Sequence, residues 1–202
     1  MIAEWHVVPS VAVVVTASLL LILDRRRMLT VILAVQYLFV TWLITLSLPI
    51  LVASVKLVAG AIAASILAIA PREMDAFENK KNARGVPSGL SFRIISAILI
   101  IASALGWDWG ATRIIEGLSR PATYAVTILL GLGFLQFGFN ERPFRVGIGL
   151  LSLLSGFEIA YAAIEPSLAV VALLAAIHIG IALVVGYLNY LDKRLRSARG
   201  LL

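Results

Sequence analysis

The chain has 202 residues, of which 61% are hydrophobic and only 14% charged, and its formal net charge is +6. A soluble domain carries roughly 25% charged residues, so too few charges are present to coat a water-facing globule, and lipid is the solvent that suits a mean hydropathy of +1.01. The basic balance therefore reads as a device for membrane orientation, not as affinity for nucleic acid.

Cysteine is absent, which excludes disulfides, thiolate zinc sites, Cys-ligated iron–sulfur clusters and Cys nucleophiles. The two histidines, His6 and His178, lie near opposite ends of the chain, so a haem held between paired membrane histidines is not expected.

A membrane span needs about 20 mostly apolar residues. Charges, prolines and glycines divide the chain into seven such runs. The first, 7–23, is preceded by Glu4 and by no Lys or Arg, so it lacks the basic start of a signal peptide and reads as a retained span. It stops at Asp24-Arg25-Arg26-Arg27. The second run covers 28–46 and the third 49–70, with Pro49 in a first turn where its missing N–H does no harm. A polar linker, 71–93, follows as the one long hydrophilic segment. The fourth run, 94–106, is short and ends before Trp107 and Trp109, residues suited to a headgroup interface. The fifth, sixth and seventh cover 122–139, 144–164 and 167–190. The predicted fold class is an all-α polytopic transmembrane helix bundle of about seven spans. Its organisation is three helices in 1–70, the cytoplasmic linker 71–93, a fourth helix and outer loop in 94–121, and a three-helix unit with a basic tail in 122–202.

Charge tests this partition. Seven spans put the 25–27 turn, the linker, the 141–145 turn and the C-terminal tail on one side, and these hold fourteen Lys and Arg residues. The opposite side holds only Arg113 and Arg120, and Lys56 completes the seventeen. By the positive-inside rule the N-terminus faces outward and the C-terminus the cytoplasm, in a cell membrane.

Ionisable groups inside the spans need a partner, a water-filled cavity or a function. Lys56 in the third span and Glu158 in the sixth both lie roughly 9–11 Å below the outer boundary at about 1.5 Å per residue. Equal depth and opposite charge make them a candidate ion pair or proton-relay pair. The competing readings are a Lys56 whose stem snorkels to the headgroups and a Glu158 protonated in place. His178, near the middle of the seventh span, is either a proton carrier or a histidine hydrogen-bonded to a neighbouring helix. Ser152, Ser155, Glu158 and Tyr161 recur every third residue, giving the sixth helix a polar-leaning stripe that serves either helix packing or a hydrated path. Gln36 and Gln136 read as interhelical hydrogen-bond groups. No phosphate-cradling loop, metal-spaced cluster or activated nucleophile stands out, so neither a cofactor nor enzymatic activity is expected.

The last three spans, from ATYAVTILLGLGFLQFGFNERPFRVGIGLLSLLSGFEIAYAAI to AIHIGIALVVGYL, resemble the three-helix K subunit of respiratory complex I. The whole chain is similar to the E component of hydrogenase-4-type complexes, with LAVQYL around Gln36, ASVKLV around Lys56 and the polar linker in matching places. The resemblance implies a non-catalytic subunit of a proton- or ion-translocating complex, linking antiporter-like and core subunits, with Lys56, Glu158 and His178 along a proton path. The acid of that family's middle helix falls at Leu154 here, one helical turn before Glu158, and the acid of its last helix falls near Ala176, two residues before His178. The alternatives are a self-contained small cation/proton or solute transporter, or a scaffold subunit of another membrane complex. No internal repeat or matched pair of broken spans favours the transporter.

Overall fold

The computed structural model describes residues 4–70, 89–106, 118–139, 142–165 and 167–198. Their regular structure is entirely helical: α1 (Glu4–Ile22), α2 (Arg26–Thr45), α3 (Ile50–Ile69), α4 (Leu90–Gly106), α5 (Arg120–Gly138), α6 (Pro143–Ile164) and α7 (Leu168–Ala198). Five of the seven are long and apolar enough to cross a membrane; α1, over His6–Ile22, and α4 are apolar but shorter.

Boundaries differ from the sequence reading where amphipathic turns extend apolar runs. Helix α4 begins at Leu90, so Arg93, expected to close the linker, lies inside the helix and is buried. Helix α7 continues through Lys193 and Arg194, which the sequence reading places in a basic tail beyond the span. Pro143 opens α6, where a proline's fixed φ suits a first helical turn. Linker residues 71–88, Trp107, Trp109, Arg113 and Arg199 lie outside the described residues.

Polar contacts fix the direction of the helices. At one end His6 Nδ1 lies 3.1 Å from Ser119 Oγ, joining the starts of α1 and α5. At the other, Asp24 after α1 accepts from Arg93 of α4 at 2.6 Å and from Arg145 of α6. There Arg26 of α2 also donates to Ala70 O at 3.0 Å, covering a carbonyl left open where α3 ends. Successive helices therefore run up and down between an end marked by His6 and an end marked by Asp24.

Two apolar cores fill the bundle. The first joins α1, α2, α4 and α5 with the far part of α6 and Ala53 of α3; the second joins α2, α3, α6 and α7 with Leu20 of α1. The most extensive interface is α5 on α6, and glycine makes it possible. A Cβ on Gly149 would stand 2.7 Å from Phe137 N, and one on Gly133 2.7 Å from Leu153 N, so the two backbones touch where only hydrogen fits. The outer surface is lined by large apolar side chains such as Leu51, Ile69, Leu99, Phe134 and Tyr187.

Candidate functional site

The buried positions of α3 run Ala53, Lys56, Ala59, Gly60, Ala63, Ala64 and Leu67, the 3–4 spacing of a helix face turned inward. Lys56 falls in the middle of that face. Its side chain is 2% exposed and does not reach the surface, so the snorkelling alternative does not describe this structure.

Instead Lys56 Nζ forms an ion pair with Glu158 Oε2 of α6, a short hydrogen bond with His178 Nε2 of α7, and a 3.3 Å hydrogen bond to Ser155 Oγ of α6. The ammonium thus meets one carboxylate oxygen by charge and two acceptors by hydrogen bonds. The ammonium also lies 4.8 Å from the centroid of the Tyr37 ring of α2, a cation–π contact. Position 60 makes room for that ring: a Cβ there would lie 2.6 Å from Tyr37 Cγ.

The partners' own bonds assign the hydrogens. His178 Nδ1 faces two acceptors, Leu174 O at 2.9 Å and Glu158 Oε1 at 3.3 Å, so it carries the hydrogen and donates. Nε2 is then left to accept from Lys56. The Ser155 hydroxyl donates to Leu151 O at 2.9 Å, which leaves its lone pairs for the ammonium. Tyr37 completes the enclosure with an edge-on contact to the imidazole, ring centroids 5.8 Å apart. Chemically, this is a closed ring of ammonium, carboxylate and imidazole in which a proton can pass from Nζ to either neighbour by a displacement shorter than a hydrogen bond.

Lys56, Glu158, His178 and Ser155 thus come together, and the paired depth of Lys56 and Glu158 was legible in their positions. His178 joins although it lies ten residues into its helix and Lys56 only six, because α7 begins about a turn farther out than the parallel α3 it packs on. Ser152 is buried with its Oγ unbonded among the described residues. Tyr161 is half-buried, against Phe157 with centroids 5.9 Å apart. A spacing of three drifts by about 60° per step at about 100° per residue, so Tyr161 ends on the side of α6 opposite Ser152. The glutamines also differ. Gln136 Nε2 donates to Leu20 O across to α1 at 3.1 Å, whereas the buried Gln36 amide has no partner among the described residues.

Sequence reasoning missed two features. Tyr37, a neutral aromatic within an apolar run, carries no sign of its place in the site in the sequence. The sequence reading places Arg93 in the linker and Arg145 in the 141–145 turn, and Asp24 at the stop of the first run, yet Arg93 and Arg145 are buried and converge on one carboxylate oxygen of Asp24, with Arg145 also donating to Leu23 O at 2.9 Å. No family model, curated protein or solved structure matches the chain.

Proposed function

We propose that this chain is a non-catalytic integral membrane subunit of a proton- or ion-translocating complex of the hydrogenase-4 and complex I kind. It sits in the cell membrane with its N-terminus outside and its C-terminus in the cytoplasm. The observation that carries the reading is the ring of Lys56, Glu158 and His178, buried among helices whose outer surface is apolar. Ionisable groups at such positions cost about 2.5–3.5 kcal/mol each on insertion scales, and an apolar core would hold the same helices together without that cost. Proton exchange between adjacent titratable groups gives the arrangement a purpose. The resemblance of the last three spans to the K subunit supplies the setting, between antiporter-like and core subunits.

The test is proton translocation by the assembled complex carrying Glu158→Gln. Reduced pumping per assembled complex is expected. Full pumping by a normally assembled complex would refute a proton role for Glu158. Gentle solubilisation tests the setting: co-migration with large membrane partners is expected, whereas a solitary small particle that moves cations or solutes in liposomes would replace this reading with that of a self-contained transporter.

A further inference from the structure

We infer that Tyr37 is the positioning residue of the buried cluster: the face of its aromatic ring, and not its hydroxyl, holds the Lys56 ammonium and keeps the shared proton on Nζ while the site is at rest. The inference rests on the proton-exchange reading above and adds a residue to it.

Packing fixes where that aromatic face points. Gly60 follows Lys56 by four residues, so the two share one face of α3. A Cβ at position 60 would stand 2.6 Å from Tyr37 Cγ and 2.8 Å from Cδ2, closer than real Cβ atoms approach, so the root of the phenol ring is seated against the α3 backbone. Tyr37 is 1% exposed and belongs to one core with Leu33, Ala63, Leu151 and Ala182. The ring cannot swing away without leaving a packed core open. Held there, it presents its face to Lys56 Nζ, 4.8 Å from the centroid.

The hydroxyl has no comparable place. Lys56, Glu158, His178 and Ser155 are tied to one another by ion pairs and hydrogen bonds, whereas Tyr37 Oη is buried with no hydrogen-bond partner among the described residues. A buried hydroxyl left unpaired costs stability, so what Tyr37 contributes comes from its face.

An aromatic face attracts a cation within about 6 Å of its centroid, most strongly where water is excluded. Lys56 is buried, so the contact is desolvated. It weakens whenever the proton leaves Nζ. Transfer to Glu158 leaves a neutral amine beside a neutral acid, with no cation for the face to hold. Transfer to His178 moves the charge onto an imidazole whose centroid is 5.8 Å from that of Tyr37, in an edge-on arrangement. Tyr37 thus favours the charged Lys56–Glu158 pair over the states that follow a transfer.

Fluorination tests this with little change of shape, because fluorine withdraws negative density from an aromatic face in steps. Tyr37→Phe is the reference, and mono-, di- and trifluorinated phenylalanine are then placed at position 37 of the full chain. In equilibrium unfolding in mixed micelles, Tyr37→Phe is expected to be at least as stable as the native chain. The unfolding equilibrium constant should then rise stepwise, reaching between about fivefold and about thirtyfold at the third fluorine, the worth of one cation–π contact. The same series in a chain carrying Lys56→Met and Glu158→Gln should be flat. In nitrogen NMR of chains grown with isotope-labelled lysine, the Lys56 resonance should stay at the ammonium position in Tyr37→Phe and move toward neutral amine along the series. A flat series with Lys56 present, an equal slope without it, an unmoved Lys56 resonance, or a Tyr37→Phe chain less stable than the native one would each overturn the inference. Neither measurement involves pumping, so a Glu158→Gln complex that pumps fully would remove the proton-translocation reading and leave the fluorine slope as it is.

Discussion

Removing one member of the Lys56–Glu158 pair should damage the fold more than removing both. Glu158→Gln leaves a buried ammonium facing only neutral acceptors, with no countercharge, and Lys56→Met leaves a carboxylate facing His178 Nδ1 alone at 3.3 Å. Breaking a buried pair from either side costs about 3–5 kcal/mol, whereas replacing both partners by neutral groups of similar shape is often close to neutral. Each single variant is therefore expected to lose about 3–5 kcal/mol and the double variant less than about 2 kcal/mol. That corresponds to a favourable coupling of about 4 kcal/mol or more in a double-mutant cycle. The assay is equilibrium unfolding in mixed micelles, followed by loss of helical circular dichroism for the four proteins. If the double variant is as unstable as the sum of the two singles, the charges do not sustain one another and the ring has been misread.

Three further outcomes follow from the same packing. Gly149→Ala places a methyl against the Phe137 backbone and should lose about 1–3 kcal/mol by overpacking, whereas Gly180→Ala, with open space around its Cβ, should gain about 0.5–1 kcal/mol from helix propensity; unfolding in the same micelles ranks the two. Gln136→Leu should cost about 1 kcal/mol through the lost bond to Leu20 O, while Gln36→Leu, which removes an unbonded buried amide, should be neutral or stabilising, and a reversed order in thermal denaturation would contradict the assignment. Asp24→Ala should lower stability more than Asp24→Asn, since the amide oxygen still accepts from Arg93 and Arg145. Because the Asp24 carboxylate is largely exposed, the difference should be about 1 kcal/mol or less.

Much of this was legible in the amino-acid order because lipid-scale burial leaves a strong linear record. Runs of apolar residues broken at Asp24–Arg27, Pro49, 71–88, 107–117, Pro143 and Ser167 give the seven helices of the described residues, since a helix satisfies its own backbone and needs no distant partner to be recognised. Depth follows from the same count, which is why Lys56 and Glu158 could be matched before their helices were placed side by side. What rotates toward what is not in that count. Whether Lys56 pointed at a neighbour or at headgroups depended on the face of α3 that α7 and α2 cover. That His178 completes the ring depended on an axial offset between α3 and α7 that no residue in either helix records. Tyr161 left the stripe through helical drift, Tyr37 entered the site because Gly60 let its ring lie against α3, and Arg93 and Arg145 became buried partners of Asp24 only once three helix ends met. The sequence by itself determined the apolar runs and the polar groups they contain; tertiary packing decided which of those groups touch, because rotation and axial offset are set by side-chain contacts between helices far apart in the chain.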